Sequence, residues 1–188
     1  QMINFHASDV VCALPPQCLL NLMKETLALT NGYRSCLEKL PKPKGAIVFY
    51  GAMHRSSLPK DCPSHIQLAS DDPGSLFLSI SQDGDGRAPL GKATVIASVF
   101  TETSKWSELN HYDYKKKKQN TFTNILKIFH DNLDLPPEIW LHKELSTPRS
   151  FQKWTGRPNG IVGGLGQHPF YSGLFGLPSR TPLKGLWL

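Results

Sequence analysis

Four β-strand patterns follow one another between residues 46 and 101, with no helical pattern between them. They cover residues 46–52, 65–69, 76–81 and 93–101, and Pro, Gly and Asp residues occupy the turns that separate them. Consecutive strands joined by turns pair antiparallel, whereas parallel strands need a long crossover that is usually a helix. The sequence therefore predicts an α+β fold with a mostly antiparallel mixed sheet and flanking helices.

Three segments have helical patterns, and a fifth strand pattern precedes the last of them. The helical segments are residues 17–29, 114–133 and 147–155, and the fifth strand pattern covers residues 138–144. In the longest helical segment the apolar residues fall on one side of the helix as a single stripe: Phe122, Ile125, Leu126, Phe129 and Leu133. Such a stripe predicts an amphipathic helix with one buried side.

The composition is that of a folded protein with a basic surface. Of the 188 residues, 39% are hydrophobic and 19% are charged, and the formal net charge is +6. No apolar run approaches the roughly 20 residues that a membrane-spanning helix needs. The four cysteines show no CxxC and no paired Cys/His spacing, which favours thiols in a reducing compartment over a disulfide or a zinc site. We therefore expect an intracellular protein, in the cytoplasm or peripheral to a membrane.

The densest charge run lies in the first turns of the longest helical segment and consists of Lys115, Lys116, Lys117 and Lys118. The helix dipole disfavours cations at this end of a helix. The simpler interpretation is a solvated basic helix start, and the alternative is contact with an anionic membrane surface or an acidic partner. Nucleic acid is not expected as a partner, because aromatic residues that could stack on bases do not alternate with the lysines.

Residues 160–166, Gly-Ile-Val-Gly-Gly-Leu-Gly, have the glycine content of a nucleotide-binding loop. A dinucleotide loop has the pattern G-x-G-x-x-G, opens a helix, and is followed about 20 residues later by an acidic residue. Here Pro169 stands at the third glycine position, the proline-rich residues that follow predict no helix, and no Asp or Glu comes after Asn159. We expect these glycines to let the backbone approach a flat ligand, or to form a sheet bend against another strand.

No metal site is predicted. Residues 83–88, Asp-Gly-Asp-Gly-Arg-Ala, open like a calcium loop, but Ala88 replaces the glycine required at position six and Thr94 replaces the glutamate required at position twelve. This segment therefore predicts a polar hairpin turn. The histidines show no paired metal-ligand spacing, and no hydrolase, zinc-protease or Walker motif is present.

Several segments, taken in order, resemble the carotenoid desaturase and isomerase branch of the FAD-dependent oxidoreductases, which is related in fold to the amine oxidases. They are residues 7–16 (ASDVVCALPP), 76–81 (LFLSIS), Asp85 with 88–91 (APLG), 94–98 (TVIAS), 146–151 (STPRSF), 160–164 (GIVGG) and 180–188 (RTPLKGLWL). The resemblance spans nearly the whole chain and depends on the order and spacing of these segments. It departs from the family at two places, since the amino-terminal G-x-G-x-x-G and the motif that follows the Leu-Trp-Leu strand are both absent.

The resemblance implies the substrate domain of an amine-oxidase-like FAD flavoprotein. Residues 1–14 are then a strand stub from the flavin-binding domain, residues 15–170 the substrate-binding domain, and residues 171–188 a return segment towards the flavin-binding domain. FAD is the implied cofactor of the full-length protein, and dehydrogenation of a C–C bond in a carotenoid is the implied reaction. The chain alone is expected neither to hold FAD nor to be active. Two alternatives stay open, a carotenoid cis–trans isomerase of the same family and a non-enzymatic carotenoid- or lipid-binding module.

The resemblance also places candidate site residues, although it identifies no catalytic base. The residues expected next to flavin or substrate are Arg149, Gly160, Gly163, Gly164, Gly166, Gln167, His168 and Arg180. The candidates for an apolar substrate channel are Phe49, Phe77, Phe170 and Phe175, each of which can equally belong to the core. The candidate membrane surface is the run of four lysines.

Overall fold

An antiparallel sheet with a long helix on one face dominates the computed structural model, which describes residues 3–23, 29–166 and 168–188. In chain order the helices and strands are β1 (Val10–Val11), α1 (Cys18–Leu22), α2 (Asn31–Lys39), β2 (Gly45–His54), β3 (His65–Leu68), β4 (Leu76–Ile80), β5 (Lys92–Thr101), α3 (Ser104–Ser107), α4 (His111–Leu133), β6 (Trp140–Ser146), α5 (Pro148–Thr155) and β7 (Leu186–Trp187). Short 3-10 turns are formed by Arg55–Ser57, Pro137–Ile139, Pro158–Gly160, Pro169–Tyr171 and Gly173–Phe175.

These elements belong to two units. The larger unit is Lys44–Ile161, and the smaller unit combines the described residues up to Pro43 with those from Val162 onward. The unit boundaries therefore lie at 43/44 and 161/162, whereas the predicted domain boundaries lie at 14/15 and 170/171. The assignment of those predicted domains to flavin and substrate stays a prediction.

The sheet of the larger unit has five strands in the order β3-β4-β5-β2-β6. Every neighbouring pair in it is antiparallel, and the two longest strands, β2 and β5, pair along their full lengths. Alternation along β2 directs Ile47, Phe49 and Met53 to one side of the sheet, where all three are buried. The predicted α+β class with an antiparallel sheet and flanking helices is confirmed.

An aromatic cluster joins α4 to this buried side of the sheet. The ring of Phe49 lies 6.0 Å from that of Phe122, 5.0 Å from that of Phe129 and 5.0 Å from that of Trp140, measured between centroids. Trp140 can reach Phe49 because Gly51 has no side chain: a Cβ at that position would overlap the indole ring. The predicted apolar stripe of the helix is confirmed, since Ile125, Leu126 and Phe129 are buried in this core and Phe122 and Leu133 pack against it.

Three elements differ from the predicted ranges in ways that local features account for, and the ends of the other predicted elements differ by at most two residues. α4 begins at His111 because the side chain of Asn110 accepts a hydrogen bond from the backbone N–H of Asp113 at 2.9 Å and so caps the helix. β6 begins at Trp140 because the preceding Pro137–Ile139 forms a 3-10 turn. α1 covers Cys18–Leu22 of the helix predicted at 17–29, whose residues 24–28 lie outside the described part of the chain.

The smaller unit contains the one parallel strand pair among the described residues. β1 pairs with β7 in the register Val10–Leu186 and Val11–Trp187. Leu19, Leu37 and Leu40 form a small core that side chains from both halves of the unit pack against. α2, which was not predicted, begins after Thr30, whose hydroxyl accepts the backbone N–H of Tyr33 at 3.3 Å.

No helix in the described residues is long and apolar enough to cross a membrane.

Removal of a phenylalanine ring is expected to lower the free energy of unfolding much more on the covered face of the sheet than on the open face. Replacing Phe49 by Ala is expected to lower the free energy of unfolding by about 3–5 kcal/mol, because a fully buried ring leaves a cavity in the aromatic cluster. Replacing Phe77, which is 45% exposed on the opposite face, should cost less than about 1 kcal/mol. Urea denaturation of both variants measures the difference, and equal losses would contradict the assignment of the two faces.

Candidate functional site

The sheet face opposite α4 carries exposed apolar side chains on its central strands. The strand register sets Phe77 of β4 opposite Ser98 of β5, and Ile96 and Phe100 lie two residues before and after Ser98 on the same face. Direct and diagonal neighbours on one sheet face lie roughly 4.5–8 Å apart. Phe77, Ile96 and Phe100 are 45%, 40% and 71% exposed, respectively. We refer to Phe77, Ile96, Ser98 and Phe100 as the open-face patch.

Polar groups border the open-face patch on the side of β3. The ring of His65 stacks on Phe77 with centroids 5.5 Å apart, and the Ser64 hydroxyl lies 3.1 Å from His65 Nδ1. Ser79, opposite Ile96, accepts a hydrogen bond from the Arg87 guanidinium at 2.9 Å. The face is thus apolar at its centre and polar at this edge, as expected of a site for an apolar ligand with a few orienting groups.

The four predicted channel phenylalanines fall into two groups. Phe49 has no exposed surface and therefore belongs to the core and not to a channel. Phe77 lies in the open-face patch, whereas Phe170 and Phe175 belong to the smaller unit, where consecutive 3-10 turns leave them 76% and 74% exposed. These three side chains can contact a ligand, and their role in a substrate channel stays a prediction.

The glycines of the 160–166 segment have different reasons for lacking a side chain. Gly160 belongs to the larger unit, has a φ of +65°, and a Cβ there would overlap the backbone of Pro148. Gly166, in the smaller unit, donates its N–H to the Pro41 carbonyl at 3.0 Å, and a Cβ would lie 2.8 Å from the carbonyl oxygens of Pro41 and Lys42. Close packing of backbone on backbone accounts for both.

Gly163 and Gly164 have no such neighbours. A Cβ on either one would meet no atom of the described residues within 4 Å, and of these two glycines Gly163 alone has a positive φ, of +82°. Within the described residues, neither local packing nor backbone conformation requires glycine at position 164. The open space beside Gly164 is therefore the part of this segment that fits the approach of a flat ligand.

His168 lines a solvent-open cavity of about 560 Å³ in the smaller unit, together with Leu165, Gly166, Pro169, Tyr171 and Ser172. Its Nδ1 accepts the backbone N–H of Phe170 at 3.2 Å, and its ring packs against those of Phe170 and Tyr171. A neutral imidazole that accepts through Nδ1 carries its proton on Nε2. In that form His168 offers the cavity a hydrogen-bond donor and not a proton acceptor.

The remaining predicted flavin- or substrate-adjacent residues have other surroundings. Arg149, in the larger unit, donates to the carbonyl oxygens of Ser107 and Leu109, and its guanidinium lies 4.6 Å from the ring of Tyr114. These contacts fix the start of α5 against the loop that precedes α4. Arg180 is exposed and forms an antiparallel bridge with Trp187. Gln167 lies outside the described residues.

The four lysines at the start of α4 do not form one uniform surface. Lys117 donates to the Lys105 carbonyl at 3.1 Å, and its Nζ lies 5.0 Å from the ring centre of the buried Trp106. Lys118 is half-buried, whereas Lys115 and Lys116 are exposed. Lys117 therefore helps to hold α3 on α4, and the freely solvated charge of the run is concentrated on Lys115 and Lys116.

The Asp83–Gly86 segment is a hairpin turn that one carboxylate organises. Asp85 accepts the backbone N–H groups of Gln82 and Arg87 at 2.6 and 2.8 Å, and the Arg87 guanidinium at 2.8 Å. These hydrogen bonds lower the pKa of the Asp85 carboxyl to about 2. The turn joins the antiparallel strands β4 and β5, so the predicted polar hairpin is confirmed. The sequence pattern does not predict this role of Asp85 and Arg87.

Two polar residues with organising roles were not predicted. Thr181 is buried, and its hydroxyl donates to the Leu186 carbonyl at 2.8 Å and accepts the N–H of Leu183 at 3.2 Å, which closes the turn before β7. Ser81 is also buried, and its hydroxyl accepts the N–H of Thr94 at 2.9 Å. The sequence does not indicate either role, because Thr181 stands next to Pro182 in a turn and Ser81 lies at the end of a strand pattern. Among the described side chains, no group of three or more His, Cys, Asp or Glu could hold a metal ion.

No protein-family model matches the chain, and no curated protein is significantly similar to it. The function of the chain is therefore inferred from its residues, from their geometry and from the family resemblance.

Gly160 and Gly164 provide a matched pair of variants, because a Cβ would overlap the backbone of Pro148 at position 160 but would face open space at position 164. Gly160→Ala is expected to lower the free energy of unfolding by about 2 kcal/mol or more, because it combines an unfavourable φ with overlap against Pro148. Gly164→Ala should change it by less than about 1 kcal/mol, since its Cβ would project into open space. Chemical denaturation of both variants measures these two changes in the free energy of unfolding. Comparable destabilisation at the two positions would mean that Gly164 has a structural role as well.

Proposed function

We propose that this chain is the substrate-binding part of an FAD-dependent carotenoid desaturase. Such an enzyme removes two hydrogens from a C–C bond of a polyene and thereby extends its conjugated system. The resemblance to the carotenoid desaturase and isomerase branch supports the proposal, and within that branch the chain most resembles the carotenoid C-3′,4′ desaturases of the cyanobacterial type. The α+β fold with one antiparallel sheet is compatible with a substrate domain of this kind.

The observation that carries the proposal is the parallel pairing of β1 with β7. The resemblance attributes these two segments, from opposite ends of the sequence, to strands that enter and leave the flavin-binding domain. They lie side by side, with hydrogen bonds from Val10 N–H to the Gly185 carbonyl at 2.7 Å and from Cys12 N–H to the Trp187 carbonyl at 2.8 Å. Dinucleotide-binding domains are built on parallel sheets, whereas all other strand pairs described in this chain are antiparallel.

Exposed apolar surface on the smaller unit agrees with this interpretation. Parallel sheets are normally covered on both faces, and a two-stranded pair is marginal in water. Val10 and Val11 of β1 are nevertheless 52% and 72% exposed, and Leu174 on the last 3-10 turn is 100% exposed. Further strands and helices of a flavin-binding domain would bury such side chains.

The segment from Gly163 to Ser172 fits a flat ring better than it fits a pyrophosphate. Space is open beside Gly163 and Gly164, and the cavity next to His168 is in the range of sizes that small-molecule sites occupy. In the described residues after the glycines there are two 3-10 turns and no α-helix, so no helix amino terminus is available there to hold a phosphate. A bound FAD supplies hydride acceptance. The residues of this chain would place the polyene, exclude water from it, and offer the Nε2–H of neutral His168 as a hydrogen-bond donor.

The open-face patch supports the substrate class. Ile96 and Phe100 are four residues apart on one strand, which corresponds to about 14 Å, and Phe77 widens the patch onto the neighbouring strand. An elongated apolar molecule laid along β5 would cover all three side chains. Burial of these apolar side chains is also the main favourable contribution that this face can make to binding.

Two alternatives from other functional classes make different observable claims. A carotenoid cis–trans isomerase would have the same sheet and cofactor but would leave the hydrogen count of the polyene unchanged. A non-enzymatic carotenoid- or lipid-binding module would hold the polyene through the open-face patch without any reaction. The parallel β1–β7 pair favours a flavoenzyme over the binding module, because a binding module has no need of a flavin domain.

Binding of a carotenoid to the chain tests the substrate part of the proposal. The polyene is supplied in detergent micelles, and the complex is isolated by size exclusion and quantified by visible absorbance. Substituting Phe77 and Phe100 together by Ser should weaken binding at least about tenfold, since burial of a Phe side chain is worth about 1.5–3 kcal/mol. Leu90→Ser is the matched control, because Leu90 is 101% exposed in the same unit but lies in a turn outside the strands.

The expected result is binding by the unmodified chain, a loss in the double variant and no change in the control. Equal binding by all three proteins would remove the open-face patch from the proposal. Absence of binding by the folded unmodified chain would contradict the assigned substrate class.

A further inference from the structure

A second cavity lies in the larger unit, between the first turns of α4 and the turn that joins β3 to β4. It is open to solvent and has a volume of about 380 Å³, which is in the range of small-molecule sites. We refer to it as the α4 cavity. Its polar lining consists of Asp72, Asp113, Lys116, Lys117, Asn120 and Thr121, and Leu109 is the one apolar residue among those that line it.

Hydrogen bonds hold the walls of the α4 cavity together. The Asn124 amide of α4 donates to the Asp72 carbonyl at 2.6 Å and lies 3.3 Å from the Asp72 carboxylate, which ties the β3–β4 turn to the helix. The carbonyl of Leu109, on the loop before α4, accepts a hydrogen bond from the Arg149 guanidinium. The shape of the cavity is therefore set by the fold, as expected of a preformed site.

The polar residues that α4 contributes share one side of the helix. Asp113, Lys116, Asn120 and Asn124 follow one another at intervals of three or four residues, and residues with this spacing are neighbours on a helix surface. Thr121 follows Asn120 directly and lines the same cavity. This side of α4 thus presents an ordered row of polar groups to the β3–β4 turn.

Unpaired charges of both signs line the α4 cavity. Asp72 and Asp113 provide two carboxylates, and neither forms an ion pair within the described part of the chain. Lys116 has no hydrogen-bond or ion-pair partner among the described residues either, whereas Lys117 donates to a backbone carbonyl at 3.1 Å. The carboxylates and the Lys116 ammonium are thus all available to a ligand that enters between them.

Thr121 is the buried polar group of the site. The residue is 6% exposed, and its hydroxyl has no hydrogen-bond partner among the residues that the structure describes. A buried hydroxyl without a partner is unfavourable, and a ligand in the cavity that it lines would supply the missing hydrogen bond. Asn120 adds an amide that can both donate and accept.

We propose that the α4 cavity binds a small zwitterion, a molecule with one ammonium and one carboxylate group such as a free amino acid. The ligand ammonium pairs with the carboxylates of Asp72 and Asp113, and the ligand carboxylate pairs with the Lys116 ammonium and accepts from the Thr121 hydroxyl. A simple anion fits less well because it meets two carboxylates, and a metal cation fits less well because it meets Lys116. This proposal is independent of the carotenoid substrate.

Titration with zwitterions and their singly charged analogues tests the ligand class. Glycine, 4-aminobutyrate and 6-aminohexanoate separate the two charges by increasing distances, and acetate and methylammonium have one charge each. Each compound is added to the isotope-labelled chain at low ionic strength, because salt screens exposed charges, and the backbone amide signals are followed by NMR. A zwitterion should shift the signals of Asp72, Lys116 and Thr121. It should also bind about fivefold more tightly than either analogue, which lacks one ion pair.

Neighbouring residues of the same charge provide matched controls. Lys116→Gln and Asp72→Asn should each weaken binding of the zwitterion about fivefold, because each removes one ion pair. Lys115→Gln and Asp71→Asn make the same changes of charge at adjacent exposed positions that do not line the cavity, and they should leave the affinity unchanged. For the buried hydroxyl, Thr121→Val should weaken binding and Thr121→Ser should retain it, and thermal melting checks that both variants are folded.

The proposal is supported by preferential binding of a zwitterion that the Lys116 and Asp72 variants weaken and the Lys115 and Asp71 variants do not. Absence of signal shifts with all three zwitterions would overturn it. Equal losses within each matched pair would also overturn it, since binding would then depend on net charge alone. Acetate or methylammonium bound as tightly as the zwitterions would overturn it in favour of a simple anion or cation site.

Discussion

The packing of Trp140 over Gly51 determines the arrangement of the larger unit. Because Gly51 in the central strand β2 has no side chain, the indole of the edge strand can lie against Phe49 and Phe129. This cluster fixes α4 to one face of the sheet and excludes water there. The other face is left without a helix of comparable length among the described elements, and Phe77, Ile96 and Phe100 on that face stay accessible to a ligand. The binding face is thus a consequence of how the core is closed.

Because α4 covers only one face of the sheet, the apolar residues of β2 and β4 have different roles. β2 has apolar residues at consecutive positions, and in β4 apolar residues are followed by an alternation with a small polar residue. Neither sequence pattern indicates which face of the sheet is covered. Phe49 and Phe77 are both strand phenylalanines, yet one is enclosed by three aromatic rings and the other lies on the open face. Only the position of α4 distinguishes them. Residue type alone therefore does not distinguish a phenylalanine that can contact a ligand from one that is buried in the core.

Periodicity within one element predicted much of the fold, and long-range contacts account for what it missed. The stripe of α4 was predictable because its period repeats over several turns, whereas its start depends on the single cap Asn110. α2 went unpredicted because its apolar residues are few and its buried Leu37 packs against distant parts of the chain. The packing requirement at Gly160 likewise depends on Pro148, which no local pattern connects to it. The parallel pairing of β1 with β7 had a basis only in the resemblance.

The most direct test of the central claim is a single turnover of the polyene under anaerobic conditions by a protein that combines this chain with a flavin-binding domain. Extracted carotenoid is analysed by mass spectrometry while the oxidation state of the FAD is followed. If the chain belongs to a desaturase, the product is lighter by two hydrogens for each FAD reduced. A rearranged polyene of unchanged mass with oxidised FAD would identify an isomerase. Unchanged polyene bound to such a protein, with no reduction of its FAD, would contradict an enzymatic role for the chain.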